Sequence, residues 1–159
     1  MATPPPDGPV THIKEIRIMT DLSKLCVRDV MHSDVATIGR NDGADQADRM
    51  MQEGRIRHLP VLDDDGALAG VLSRSDLFRG ALASALGYGE HAQDRTLALL
   101  RVKEVMSTDL HTVAPAAPLA EAAAAMVEHK IGCLPVIEGG KLVGILTQGL
   151  LAELIAQGA

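Results

Sequence analysis

The stretch Arg55–Asp76, RIRHLPVLDDDGALAGVLSRSD, decides the fold of this chain. Two short apolar runs, His58–Leu62 and Ala67–Leu72, flank an Asp-rich turn that ends in glycine, a pattern that predicts a β-hairpin. The second run leads directly into SRSD, whose serine and aspartate oxygens are suited to accept backbone N–H bonds at the start of a helix. Apolar residues then recur at helical spacing. The stretch therefore predicts a strand, a turn, a second strand and a capped helix.

This unit occurs twice in the chain. An offset of 75 aligns Val27–Leu62 with Val102–Ile137 and gives 12 identities in 36 positions. After the turn the offset falls to 74, because the second turn is one residue shorter. An ordered run of identities with a single deletion indicates a duplication. Each copy predicts a short helical turn, a strand (Val35–Ile38 or Leu110–Val113), an amphipathic helix, a hairpin and a capped helix.

The predicted fold class is α/β (α+β), with two pseudo-symmetric units that each combine a small mixed sheet with packed helices. The sequence predicts a flexible N-terminal tail over residues 1–20, a first repeat over 21–89, a linker over 90–101 and a second repeat over 102–159. Both repeats are expected to form one module.

Composition excludes several classes of protein. Apolar residues make up 47% of the 159 residues but aromatic residues only 1%, so the core is expected to be aliphatic. A net charge of −6 argues against nucleic-acid binding, which depends on phosphate neutralisation. No apolar run reaches membrane-spanning length, and no secretory signal is recognisable. Two distant cysteines, Cys26 and Cys133, fit a reducing, cytoplasmic setting.

The duplicated motifs V-x-x-V-M, I-x-x-L-P-V and G-x-L-x-G followed by a polar helix start resemble the CBS domain. Two such copies in tandem resemble a CBS pair, or Bateman module, and the resemblance covers Lys24–Gln157. It implies that the copies pack around a pseudo-two-fold axis, with clefts that bind adenosine-containing ligands. It also implies a stand-alone regulatory protein without catalytic, metal or required cofactor sites.

The resemblance assigns the main ligand cleft to Asp76 and to the serines before it. A carboxylate can accept hydrogen bonds from both ribose hydroxyls, and charge-assisted bonds are the stronger ones. The alternative is that these residues only cap the helix. The opposite copy is expected to line the adenine slot. The full expected set for this cleft is Ser73, Ser75, Asp76, Leu110, His111, Thr112, Lys130, Ile131 and Pro135.

The second cleft is expected to be weaker, because the second copy reads TQGL where the first reads SRSD and so lacks the carboxylate. Arg55, Arg57 and His58 form a basic cluster suited to a phosphate. The alternative is a solvated basic edge that balances the acidic turn Asp63–Asp65. The residues expected to line this cleft are Arg55, Ile56, His58, Pro60 and Thr147.

The sequence thus predicts a regulatory sensor of an adenosine ligand and leaves AMP, ADP, ATP, S-adenosylmethionine and NAD open. The alternative from a different class is a ligand-free dimerisation or protein-interaction module. A homodimer is expected, since the helices carry more apolar residues than one small core needs. The regulated target is open. The residues expected at the dimer interface are Leu77, Ala81, Leu119, Met126, Leu150 and Leu154.

Overall fold

The computed structural model describes residues 21–86 and 97–158. The predicted tail and the first part of the predicted linker lie outside these residues. The elements of the first repeat are a 3-10 turn (Leu22–Lys24), α1 (Val27–Val30), β1 (Ile38–Gly39), α2 (Ala44–Gly54), β2 (His58–Leu62), β3 (Leu68–Ser73) and α3 (Arg74–Ala85). Those of the second repeat are α4 (Val102–Val105), α5 (Leu119–His129), β4 (Cys133–Glu138), β5 (Lys141–Thr147) and α6 (Gln148–Gly158).

The sheets confirm the predicted mixed α+β fold. In the first repeat β1 runs parallel to β2, and β2 pairs antiparallel with β3. In the second repeat β4 and β5 form the predicted hairpin, and Val113 adds a single parallel bridge to Val136. The first strand of each copy is therefore shorter than predicted: two residues in one copy and a bridge in the other.

The two compact units of the structure do not follow the boundaries of the repeats. The central unit is Ala36–Leu110, and the split unit combines residues 21–35 with 111–158. Helix α4 of the second repeat thus belongs with the sheet of the first, and α1 of the first repeat belongs with the sheet of the second. The first helix of each repeat therefore belongs to the unit that contains the hairpin of the other repeat.

Backbone hydrogen bonds fix this exchange. In the central unit Val71 and Ser107 exchange two N–H···O bonds, at 3.0 and 2.9 Å. In the split unit His32 and Ile145 do the same, at 3.0 and 2.9 Å. A Cβ atom on Gly70 would lie 2.6 Å from the Ser107 carbonyl oxygen, so a strand glycine is required for this close approach.

Each unit has its own aliphatic core. The core of the central unit is centred on Met51, Leu59 and Leu72, and that of the split unit on Met126, Leu134 and Leu146. No helix within residues 21–86 and 97–158 is long and apolar enough to cross a membrane.

The residues expected to form a dimer interface lie inside these units, so the premise that they exceed what the cores need is wrong. They are only 2% to 6% exposed, because the helices need them to cover the sheets. They are Leu77, Ala81, Leu119, Met126, Leu150 and Leu154. The large apolar side chains that remain exposed include Phe78 and Leu82 on α3 and Val127 and Ile155 on the other helices.

Candidate functional site in the central unit

The site begins where β3 ends and α3 starts. The Ser73 hydroxyl accepts a hydrogen bond from the backbone N–H of Asp76 at 3.1 Å, and Asp76 Oδ2 accepts one from the backbone N–H of Ser73 at 2.9 Å. This reciprocal arrangement is a capping box, with aspartate in place of the usual glutamate. The predicted capping roles of Ser73 and Asp76 are therefore present. Ser75, between them, is exposed.

Asp76 also forms an ion pair at the surface. Its Oδ1 accepts a hydrogen bond from Arg79 at 2.6 Å, and its side chain is 13% exposed whereas that of Arg79 is 74% exposed. A pair with one exposed partner contributes little to stability. Each carboxylate oxygen has two lone pairs, so Asp76 can still accept further hydrogen bonds.

A cavity of about 340 Å³ opens beside this carboxylate. The residues that line it come from the first two turns of α3 and from α4, which is part of the second repeat in sequence but of the central unit in the structure. The lining residues are Asp76, Arg79, Gly80, Glu104 and Val105. A Cβ atom on Gly80 would lie 2.5 Å from Val105 Cγ1, so the glycine allows the two helices to approach.

A larger, basic cavity of about 580 Å³ lies in the same unit. We call it the arginine pocket; it is lined by Met51, Gln52, Arg55, Ile56, Arg57 and Arg74. The backbone N–H of Arg74 donates to the carbonyl oxygen of Arg57 at 2.9 Å, which joins the start of α3 to the segment before β2.

His58 lies beside both the acidic and the basic groups. It pairs with Ser73 across the hairpin. Burial lowers the pKa of His58 below its ordinary value, the Asp76 carboxylate opposes this shift, and Arg57 reinforces it. The charges of Asp76 and Arg57 therefore both act on one half-buried ring.

The corresponding junction of the split unit is apolar. The Thr147 hydroxyl accepts from the backbone N–H of Leu150 at 3.2 Å, so this helix is capped as α3 is. Leu150, which aligns with Asp76, is 3% exposed and belongs to the core. The rings of His111 and His129 stack at a centroid distance of 4.0 Å in this unit.

The structure divides the predicted site residues between the two units. The central unit holds Ser73, Ser75, Asp76, Leu110, Arg55, Ile56, His58 and Pro60. The split unit holds His111, Thr112, Lys130, Ile131, Pro135 and Thr147. Pro60 and Pro135 are fully buried. Arg55 and His58 are expected from the sequence in a different cleft from Asp76, but all three residues belong to the central unit.

Sequence reasoning missed Arg74, Arg79, Gly80 and Glu104. Arg74 is the variable residue within SRSD, and no motif marks it as functional. The one feature of the sequence that sets Arg74 apart is that the second repeat has the neutral Gln148 at the aligned position. Among the described residues no group of three or more His, Cys, Asp and Glu side chains is placed to hold a metal ion.

Comparison with known proteins identifies the family. The CBS domain family matches residues 27–82 and 102–157, so the chain belongs to the CBS domain family. The AcuB protein of Vibrio cholerae is a structural neighbour with a TM-score of 0.70 and 34% identity, covering 83% of this chain and 90% of that one. CBSX2, solved in complex with AMP, has a TM-score of 0.67 and 27% identity, covering 83% and 96%.

Among curated relatives, homoserine O-acetyltransferase of Methanococcoides burtonii is 30% identical over 135 residues. The match covers 84% of this chain but 25% of that enzyme, so the chain spans about a quarter of the length of this relative. The tandem repeat predicted from the sequence is confirmed, and a CBS pair is a regulatory module rather than a catalytic one.

Proposed function

We propose that this protein is a regulatory sensor whose central unit binds an adenosine-containing ligand through Asp76. The observation that carries the proposal is a largely buried carboxylate, 13% exposed, at the rim of a cavity and at the first turn of a helix. The complex of the related CBSX2 with AMP supports the class of ligand.

The chemistry of Asp76 suits ribose. Vicinal hydroxyls donate two hydrogen bonds to one carboxylate, and such charge-assisted bonds are stronger than neutral ones. The exposed Arg79 can turn away towards solvent, which frees the lone pairs of Oδ1 at little cost. Ser73 keeps the backbone of the first helical turn in place while the ligand binds.

The second candidate function is a protein-interaction module that binds no nucleotide. Both Asp76 oxygens already have partners inside the unit, Ser73 N–H and Arg79. A carboxylate that only caps a helix and pairs with an arginine has the same contacts. Ligand titration separates the two candidates.

The deciding experiment is titration calorimetry of AMP and ATP with the parent and with Asp76→Asn. The variant keeps the shape but removes the charge, so affinity is expected to fall by about ten- to a hundred-fold, or roughly 1.5–3 kcal/mol. Asp64→Asn, in the exposed hairpin turn, is the matched control and is expected to bind like the parent. Parent-like affinity of Asp76→Asn would show that Asp76 does not hold the ribose, whereas no binding by the parent would favour the interaction module.

We also propose a homodimer, formed through α3 with its exposed apolar side chains. Phe78 is 60% exposed and Leu82 is 49% exposed, and both lie on one face of that helix. Phe78→Asp is expected to convert a dimer into a monomer in light scattering, whereas Arg79→Ala on the same helix is not. If light scattering shows that the parent is a monomer at a concentration of about tens of micromolar, the proposed homodimer is wrong.

The regulated target stays open, and no catalytic role is proposed for the chain. Cys26 and Cys133 are not joined by a disulfide. We propose a cytoplasmic location, where thiols stay reduced.

A further inference from the structure

We propose that Met31 and Met106, the last residues of the two V-x-x-V-M motifs, are sites of reversible oxidation by a peroxide. Oxidation of Met106 loosens α4 and weakens ligand binding in the central unit, and this regulatory part rests on the proposed function. The observation that carries the proposal is that each of the two side chains is partly exposed and presses its sulfur against a strand glycine.

Each sulfur lies where the side chain of a strand residue would otherwise be. A Cβ atom on Gly70 would lie 2.9 Å from Met106 Sδ, and one on Gly144 would lie 2.5 Å from Met31 Sδ. The sulfur is therefore in contact with the main chain of the strand. Because protein interiors are close-packed, an atom added to the sulfur finds no free volume on that side.

Partial exposure distinguishes these two methionines from those of the cores. Met51 and Met126 are 0% and 2% exposed. Met31 and Met106 are half-buried, and each packs against the edge of the core of its unit. An oxidant has to reach the sulfur, so the two half-buried methionines are expected to react before the two buried ones. Met50 on α2 is also half-buried and provides a comparison in the central unit.

The reaction is a two-electron oxidation of the thioether. The sulfur attacks one oxygen of hydrogen peroxide, the O–O bond breaks and a sulfur–oxygen bond forms. Both protons end on the second oxygen, which leaves as water. The sulfur is thereby oxidised to the sulfoxide and the peroxide is reduced. Methionine sulfoxide reductases reverse the oxidation, so the modification can act as a switch.

The sulfoxide oxygen places a polar atom at an apolar contact. Burying it without a hydrogen-bond partner is unfavourable, so the oxidised side chain is expected to leave the glycine. The residue that follows each methionine forms the two-bond bridge to the same strand: Ser107 with Val71, and His32 with Ile145. Displacement of the methionine therefore weakens the contact that holds α1 or α4 against its sheet.

Of the two methionines, Met106 is the one joined to the candidate ligand site. It follows Val105, which lines the cavity beside Asp76 and approaches Gly80 of α3 closely. A shift of α4 thus changes the wall of this cavity. Met31 belongs to the split unit. Oxidation of Met106 is therefore expected to change both stability and ligand affinity, and oxidation of Met31 to change stability alone.

The oxidation sites are tested by brief treatment with hydrogen peroxide, followed by dithiothreitol to reduce oxidised thiols. Peptide mass spectrometry is expected to show sulfoxide at Met31 and Met106 several-fold faster than at Met51 and Met126. The midpoint of thermal unfolding is expected to fall by about 5 °C or more, and methionine sulfoxide reductases are expected to restore it. The variant M31L/M106L keeps apolar side chains of similar volume and is expected to hold its midpoint under the same treatment.

Glutamine in place of methionine imitates the polar sulfoxide and tests the link to the ligand site. Met106→Gln is expected to weaken AMP binding by about five-fold or more in titration calorimetry, whereas Met106→Leu is expected to bind like the parent. Met31→Gln in the split unit is the matched control: it is expected to lose as much stability as Met106→Gln but to bind AMP like the parent. Met50→Gln is also expected to bind AMP like the parent.

Two results would overturn the assignment of the oxidation sites: sulfoxide at Met51 or Met126 before Met31 and Met106, or an equal fall of the unfolding midpoint in M31L/M106L and the parent. Equal losses of AMP affinity in Met106→Gln and Met31→Gln would overturn the link to the ligand site, because general destabilisation would then explain both. If the parent binds no AMP, the proposed function fails, and mass spectrometry and thermal unfolding still decide the oxidation sites.

Discussion

The helices that follow the two hairpins, α3 and α6, begin alike and diverge within one turn. A hydroxyl at the last strand position caps each, Ser73 in one and Thr147 in the other. One turn later α3 presents Asp76 and Gly80 beside a cavity of about 340 Å³, whereas α6 presents Leu150 and Leu154 at the aligned positions. Both leucines are buried, at 3% and 6% exposure.

This difference shows how the two copies of a duplicated unit can present an apolar helix face in one copy and a polar face in the other. In the split unit the helix face contributes apolar area to the core, which favours folding. In the central unit the same face presents a carboxylate beside a cavity, so it adds less apolar area to the core. Variants that exchange or remove the residues responsible for this difference test it directly.

The largest effect is expected when the polar residue of the first copy is placed in the second. Leu150→Asp removes a core side chain and buries a carboxylate in its place. This should lower the free energy of unfolding by about 3–5 kcal/mol, measured by urea denaturation. Ala152→Asp, at an exposed position of the same helix, should change it little. Equal losses in the two variants would mean that the split unit also has a polar recess at this position.

Replacing a glycine with alanine should destabilise the protein on α3 and stabilise it on α6. Gly80→Ala places a Cβ atom 2.5 Å from Val105 Cγ1, which should cost about 1–3 kcal/mol through overpacking. Gly149→Ala meets nothing closer than 3.7 Å, so its higher helix propensity should stabilise the protein by about 0.5–1 kcal/mol. Thermal unfolding of both variants measures the difference. A stabilised Gly80→Ala would show that α3 and α4 can separate freely.

The hydroxyl caps of α3 and α6 should contribute equally to the free energy of unfolding. Ser73→Ala and Thr147→Ala each remove one hydroxyl acceptor at a helix start, which should cost about 1 kcal/mol in either case. Chemical denaturation measures both values. A much larger loss for Ser73→Ala would indicate that the reciprocal bond from Asp76 depends on the serine hydroxyl.

The hairpins and caps could be predicted because their signals are local: the turn at Asp63–Gly66 and the hydroxyl residues after each second strand. Pairing of Asp76 with Ser73 follows from their spacing alone. The exchange of α1 and α4 between units could not be predicted, since a repeat in sequence says nothing about which copy a helix packs against. The arginine pocket was predicted only in part, because Arg74 comes from a different element than Arg55 and Arg57 and only the tertiary fold places them on one cavity.

The smallest effect concerns one half-buried histidine in each unit. Burial lowers the pKa of His58 and of His32 below the ordinary value of 6.5; Asp76 opposes the shift at His58, and Glu153 opposes it at His32. Between the folded pKa and 6.5 the unfolded chain binds more protons than the folded chain. The stability from each neutral ring is therefore complete above the unfolded pKa and is lost as the pH falls through the folded pKa.

Asp76→Asn should lower the pKa of His58 further and leave that of His32 unchanged, and Glu153→Gln should do the converse. Titration of the ring proton signals by NMR measures both pKa values in each variant. His58→Gln and His32→Gln should each make the free energy of unfolding depend less on pH between 5 and 7, roughly the range in which histidine titrates. A His58 pKa that does not respond to Asp76→Asn would mean that the carboxylate faces the capped helix alone, and the contrast between the two helices would then lie only in packing.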